Sequence, residues 1–457
     1  MAGIGFELRR LSRSETYAGL LRAYAYAGLV SSGPWVLSIM AILLLGLLSI
    51  GHVIPPALIT SFQVSVTWLI ACSLIYTGGA QLVYTRYVAD RLFGRQPERV
   101  VPNLVGMLLA LLLPALVLAS AVLLLVFPGV AAAYRLLMII SFLLLCIVWV
   151  ETVLLSGLKR YRLVVAIYAL GYGIALLLGL LLRPFGTSGL LGGFAIGQLV
   201  LVLGMSITIW REYPPRALAG GDLFRRGRTR PWLLLTGLLF NAGVWVDKFI
   251  FWLSPVTGER VIGILHSSPI YDTPTFLAYL TIVPGMAVFL LRMEVDFVAA
   301  YDRYFDLVRN GGTLGAIEDR RREMVLAARH GIRDIIGTQG LVLLALIAFA
   351  PTLLPLLHIS SLYSGQLAVT SVGVMLQLLV MAALNVLLYL DDLRETVLIT
   401  ATMFLANALF SALSIVLGPY FYGYGFAAGM LCAVLVALPL VNRRMQQLNF
   451  ETFMHAT

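Results

Sequence analysis

The positive charges of this chain sit almost wholly in alternate connections between apolar helices. Of its 32 Lys and Arg residues, 28 fall in the N-terminal segment, every second connection and the tail, leaving Arg135, Arg183 and Arg260 in the other connections and Lys248 inside a helix. Cationic loops stay on the cytoplasmic side of a membrane, so the pattern demands a helical chain that crosses a bilayer many times. Composition leads to the same place. With 60% hydrophobic and 12% charged residues and a mean hydropathy of +0.94, the chain has too little polar surface to cover a soluble globule. The formal net charge of +10 does not call for nucleic acid, because 19 of the 22 acidic residues share the basic side. The remaining excess of about +9 on that side suits a face toward anionic lipid.

A membrane span needs about 20 mostly apolar residues. Segments 27–50, 57–82, 101–127, 132–157, 163–182 and 189–210 qualify, followed by 232–253, 273–291, 335–354, 366–390, 396–417 and 423–441. The expected fold is therefore an all-α polytopic membrane protein of about twelve transmembrane helices in two six-helix bundles, with both termini cytoplasmic. The expected organisation is a basic N-terminal segment 1–26, an N-terminal bundle 27–210, a cytoplasmic linker 211–231, a C-terminal bundle 232–441 and a cytoplasmic tail 442–457. The opposite connections are short and nearly uncharged, so no outer domain is expected. Residues 1–22 are polar and carry four arginines, which predicts an uncleaved signal anchor. Ser12 and Glu15 there have the spacing of a capping box.

The C-terminal bundle also holds a long cytoplasmic loop, 302–334. After Gly311, Gly312 and Thr313 it shows Leu314, Ile317, Met324, Ala328 and Ile332 at roughly helical spacing among charges. This predicts an amphipathic helix that lies on lipid or docks a cytoplasmic partner.

The two sets of six spans read as copies. Ser31-Ser32-Gly33-Pro34-Trp35-Val36-Leu37-Ser38 aligns without gaps to Asn241-Ala242-Gly243-Val244-Trp245-Val246-Asp247-Lys248, and Asp90-Arg91-Leu92-Phe93 to Asp302-Arg303-Tyr304-Phe305, at offsets of 210 and 212 residues. An even number of spans per copy makes the repeat parallel, with an axis along the membrane normal and a central path between the halves.

Deep polar groups are costly in hydrocarbon and face a bundle interior or a cavity. Asn241, Trp245, Lys248 and Trp252 are spaced 4, 3 and 4 residues apart, which at about 100° per residue places them in one stripe. Ser31, Trp35 and Ser38 repeat its first three positions on the first span. Indoles beside hydroxyl, amide and ammonium groups suit sugars, whose C–H faces stack on aromatic rings. Packing between helices, interfacial anchoring by Trp252 and snorkelling of Lys248 are the bland alternatives. Asp247 lies about 100° around the helix from Lys248, which predicts that the two do not share a face; it stands as a proton or cation site or as the partner of a neighbouring helix. Pro34 beside Gly33 predicts a kink and a hinge. Glu151 and the cluster Arg292, Glu294 and Asp296 are expected to form pairs at the inner rim, with Glu151 also a candidate for coupling or gating.

Several chemistries are missing from the sequence. It has no Walker A pattern, its five His and three Cys lack metal-ligand spacing, and no Gln-x-x-Arg-Trp of processive polysaccharide synthases occurs. Cys72, Cys146 and Cys432 lie in apolar runs and read as packing residues. Neither catalysis, a cofactor nor a metal site is expected.

The opening Met1-Ala2-Gly3-Ile4-Gly5-Phe6-Glu7-Leu8-Arg9-Arg10, the Ser32-Gly33-Pro34-Trp35 segment and the twelve-span layout resemble the PelG family, inner-membrane transport subunits of the Pel exopolysaccharide system. The resemblance covers essentially the full length. It implies membership of the multidrug, oligosaccharidyl-lipid and polysaccharide exporter superfamily, two six-helix bundles and alternating access. It also implies polysaccharide as substrate, a cytoplasmic glycosyltransferase as partner, and two membrane partners, one binding cyclic di-GMP. A flippase for pyrophosphate-linked lipid calls for several deep cations, and away from the interfaces the chain offers Lys248, which favours a less charged sugar chain. A lipid-linked oligosaccharide flippase, a cation-coupled drug antiporter and a membrane scaffold for the synthase are the alternatives.

Overall fold

The computed structural model describes residues 17–49, 53, 55, 57–127, 129–157, 161–224, 230–356 and 358–454, with the side chains of 17–26, 29–31, 33–35, 157, 161–162 and 451–454 left undescribed. The capping pair Ser12 and Glu15 lies outside these residues. The described chain is helical almost throughout. Its helices are α1 Tyr17–Ser49, α2 Ala57–Phe93, α3 Val100–Val126, α4 Ala132–Gly157, α5 Tyr161–Leu182, α6 Gly186–Glu212 and α7 Pro231–Leu253. There follow α8 Pro269–Leu280, α9 Ile282–Phe289, α10 Val298–Arg309, α11 Leu314–Leu356, α12 Ser364–Tyr389, α13 Leu393–Leu417 and α14 Tyr424–Met454.

Among the described residues nine stretches are long and apolar enough to cross a membrane, or ten if the bent α8–α10 run counts as one span. One of these stretches, Leu163–Glu212, is a pair of helices, α5 and α6. Gly171 meets Leu201, Ala175 meets Gly197, and Gly179 meets Gly193, so positions rise on α5 as they fall on α6. Side chains at Gly193 and Gly197 would collide with the α5 backbone, and their absence lets the two helices close into an antiparallel hairpin by van der Waals contact, as small residues do in lipid.

The chain divides into two compact units. One takes in the residues up to Ser32, Val246–Phe251 and Pro269–Thr457; the other takes in Gly33–Trp245 and Trp252–Ser268. Helix α7 supplies residues to both.

In the second of these units the α5–α6 hairpin is joined by a contact of α2 with the first half of α7. Gly78 and Gly79 lie against the backbone of Gly237 and Leu234, which seats the half-buried Asn241 beside α2. The linker after α6 is folded rather than loose. The Gly220 N–H donates to the Pro102 carbonyl at 2.7 Å, the Leu223 N–H to Asn103 Oδ1 at 3.1 Å, and Arg99 pairs with Asp222 at 2.9 Å. After α7 comes a small antiparallel hairpin, β1 Glu259–Ile262 and β2 Leu265–Ser267. Its turn holds Gly263 at φ 59°, a left-handed position that glycine adopts freely. Strands of four and three residues are too short to leave a period in the sequence.

In the first unit, α8 and α9 meet at a bend of about 40°. Pro284 lacks the N–H that would bond the Leu280 carbonyl, so the ladder opens there. The Gln339 side chain donates to the Thr281 carbonyl at 2.9 Å. Beyond α9 the helix widens into a π-helical segment, Leu290–Phe297, in which buried Leu291, Met293, Val295 and Phe297 alternate with Arg292, Glu294 and Asp296.

The amphipathic stripe seen in 302–334 does not lie on lipid. It is the first half of α11, a helix of 43 residues and so roughly 65 Å long, about twice the hydrocarbon thickness. Ile317, Met324 and Ala328 are buried. Around them Tyr304 of α10 donates to Asn449 at 2.9 Å, Asn449 donates to Glu318 at 2.7 Å, and Arg321 reaches the Met445 carbonyl of α14 at 3.0 Å. Ile317, Met324 and Ala328 are thus covered by α10 and α14, while Leu314 at the start of the helix is exposed. Hydrogen bonds from Arg321 hold the Glu318 carboxyl below the usual carboxylate range.

Candidate functional site

Asp247 and Lys248 form a buried charge centre in the first unit. Asp247 is fully buried and Lys248 is 6% exposed, with Lys248 Nζ 3.0 Å from Asp247 Oδ2 and 3.2 Å from Oδ1. The two Cα–Cβ directions lie about 100° apart on the helix, yet the side chains meet. The four-carbon stem of lysine is long and flexible enough to swing its ammonium back to the adjacent carboxylate.

Each atom of the pair has further partners. Tyr271 of α8 donates to Asp247 Oδ2 at 2.6 Å, and Asn407 of α13 donates to Oδ1 at 3.3 Å. The ring of Tyr271 stacks on Phe251 at 3.7 Å between centroids, and Phe251 is one helical turn beyond Asp247 on α7, so one tyrosine grips both positions. Ser411 donates to Asn407 Oδ1 at 3.0 Å and orients that amide. The ammonium lies 3.5 Å from the Tyr279 hydroxyl and 4.9 and 5.1 Å from the ring centroids of Tyr279 and Phe426, within cation–π range. Tyr279 passes its own proton to Gln377 at 2.8 Å. A desolvated ion pair is tolerable where geometry is good and the remaining lone pairs and protons are bonded, and this one meets both conditions.

The second unit carries an aromatic centre. Trp252 is 2% exposed, with the ring of Trp68 at 5.0 Å and that of Trp245 at 6.3 Å. Trp245 and Trp252 are seven residues apart, two turns of α7 on one face. Trp68 joins them from α2 and is fixed by the β-hairpin, its indole N–H donating to the His266 carbonyl at 2.8 Å.

Glu151 is the third buried polar position. On α4, 1% exposed, it accepts a 2.6 Å hydrogen bond at Oε1 from Ser206 of α6, while Oε2 has no hydrogen-bond partner.

The residues singled out from the sequence thus fall in separate places. Trp245 and Trp252 are brought together; Lys248 joins Asp247 instead; Asn241 bonds its own helix at the Gly237 carbonyl, 2.9 Å away; and Ser38 is buried. The side chains of Ser31, Pro34 and Trp35 lie outside the described residues. Arg292 pairs with Asp296 and with Asp334 of α11, each at 2.9 Å, and Glu294 accepts from Asn385 at 2.6 Å. Sequence reasoning missed Trp68, Tyr271, Tyr279 and Asn407. For Asn407 a signal was present: Thr396, Thr400, Asn407, Ser411 and Ser414 are all buried at spacings of three, four and seven along one face of α13.

The fold is that of a known transporter class. An outward-facing multidrug resistance MATE family transporter of the MOP superfamily aligns with a TM-score of 0.64 over 93% of this chain and 96% of its own, at 15% identity. A MATE structure in the straight conformation gives 0.64 at 14% identity over the same shares, and an inward-facing MATE family transporter 0.58 at 15% over 93% and 95%. At such identities the likeness is one of fold, a MATE-like arrangement with a two-lobe repeat. Residues 1–453 match the family model PelG, described as "Putative exopolysaccharide Exporter (EPS-E)". No curated protein matches.

Proposed function

We propose, because this chain belongs to the PelG family, that it is the subunit that carries exopolysaccharide through the inner membrane. The family match across residues 1–453 is the observation that carries the reading, and the MATE-like fold supports a transporter over an enzyme. Trp68, Trp245 and Trp252 are the groups we assign to sugar contact. Their rings offer apolar faces for pyranose C–H groups. Asp247 and Lys248 neutralise one another in the other unit, which argues against Lys248 as a free phosphate ligand. Synthesis by a cytoplasmic glycosyltransferase, and assembly with two membrane partners of which one binds cyclic di-GMP, complete the proposal.

The test uses inverted inner-membrane vesicles that hold the synthase and its partners with or without this chain, supplied with radiolabelled nucleotide sugar. Polymer protected from added glycosidase only when the chain is present is the expected result. If total synthesis falls without the chain while the protected fraction is unchanged, the chain is a scaffold and the transport reading fails.

A further inference from the structure

Glu151 differs from Asp247, the other buried acid described above, in having no cation beside it among the described residues. An ionised carboxylate without a countercharge is the costliest group to place in a low-dielectric interior, and such groups persist by taking up a proton. The surroundings offer no alternative. Of the elements packed against α4, α3 contains no titratable residue. On α2, Tyr84 is electrostatically coupled to Glu151, whereas Arg86 is engaged with Asp90 at 3.4 Å. Helix α5 brings the Tyr168 hydroxyl to Thr152, 2.8 Å away. Helix α6 brings Ser206 and, at its end, Arg211 and Glu212, neither of which pairs with Glu151 among the described residues. A metal cation would need several oxygen ligands, and Oε2 has none in hydrogen-bond reach.

Ser206 gives this acid an outlet. Ser206, whose hydroxyl touches Glu151 Oε1 at 2.6 Å, is also one of the residues that line an open surface depression of about 300 Å³, with Ile207, Trp210 and Arg211. A serine hydroxyl both donates and accepts, so it can take one proton from the carboxyl while releasing its own outward.

We propose that Glu151 is a proton-exchange site of this transporter, with Ser206 as the relay between its carboxyl and the depression at Trp210 and Arg211. In the release step the Glu151 carboxyl turns its O–H from the partnerless position toward Ser206, that O–H bond breaks and the proton binds Ser206 Oγ. The original hydroxyl proton of Ser206 passes to a water molecule in the depression, leaving a carboxylate that accepts from Ser206. Uptake is the reverse, and no other reactant is needed. What the proton drives rests on the transport reading; its exchange does not.

Infrared spectroscopy of the purified full-length protein in lipid separates the two. At neutral pH the wild type should show the carbonyl band of a buried protonated acid, shifted when water is replaced by D2O. Glu151→Gln should lose that band. Ser206→Ala keeps the acid and reads the relay even if Glu151→Gln folds poorly: its band should move in frequency, and its D2O shift should be slowed or lost. Absence of the band in wild type, its survival in Glu151→Gln, indifference to D2O, or exchange in Ser206→Ala as fast as in wild type would each overturn the proposal. So would loss of the band on adding sodium at constant pH, which would make this a metal-cation site. In the vesicle assay Glu151→Gln should abolish the pH dependence of polymer export; a wild-type pH profile in that variant sinks the coupling role.

Discussion

Asp247 and Glu151 are both carboxylates on apolar helices and both lie beyond the reach of solvent, at 0% and 1% exposure. Their surroundings solve the same electrostatic problem in opposite ways. Around Asp247 the chain supplies a permanent cation, a tyrosine hydroxyl and an asparagine amide, so both oxygens are bonded and the centre is neutral as built. Around Glu151, among the described residues, it supplies one serine. A charge neutralised by a tethered ammonium cannot readily be exchanged, since removing either ion strands the other. A carboxyl neutralised by a proton can lose it whenever a path opens. The contrast assigns a fixed structural role to Asp247 and an exchangeable one to Glu151, two acids that the sequence offered alike as coupling candidates.

Breaking the ion pair should produce the largest effect. Asp247→Asn or Lys248→Met leaves one buried charge uncompensated and should cost about 3–5 kcal/mol, read as a lower unfolding midpoint in detergent. The double variant should regain most of that loss, because the pair is removed together. If the single changes are harmless, Asp247 is as exchangeable as Glu151 and the distinction collapses. Tyr271→Phe is the next step down. It removes the 2.6 Å donor to Asp247 Oδ2 but keeps the ring on Phe251, so a loss of about 1–3 kcal/mol isolates the hydroxyl from the stacking.

How much of this was legible without coordinates depends on the range of the interaction. Crossing segments such as 101–127 and 132–157 fall on α3 and α4 because apolar length and loop charge are local properties of the chain. Helix extensions beyond the bilayer were harder. The amphipathic helix from Leu314 and the span from 335 are one helix, α11, whose apolar stripe meets α10 and also α14, the latter through contacts more than a hundred residues apart in sequence. At the charge centre, adjacency of Asp247 and Lys248 was visible, but treating side chains as fixed radial vectors hid their contact. Trp245 and Trp252 could be placed on one face by counting, whereas Trp68 required knowing that Gly78 and Gly79 let α2 approach α7. The isolation of Glu151 is invisible by nature, since it consists of what neighbouring helices do not bring.

The smallest effects should come from the second acid, and they sharpen the comparison most. Ser206→Ala removes one hydrogen bond to Glu151 and should cost about 1 kcal/mol. Glu151→Gln should cost less still. If the carboxyl is held as a neutral acid, the amide matches it in shape and charge, its carbonyl still accepts from Ser206, and its NH2 takes the place of the acid O–H at the partnerless position. No cavity, stranded ion or broken network results, so stability should change by roughly 0.5 kcal/mol or less. The same carboxylate-to-amide exchange at Asp247 abandons an ammonium. Measured side by side in one detergent, the two amide variants should therefore differ by several kcal/mol; equal losses would mean that Glu151 has an ionic partner after all, and a proton would no longer be needed to explain its burial.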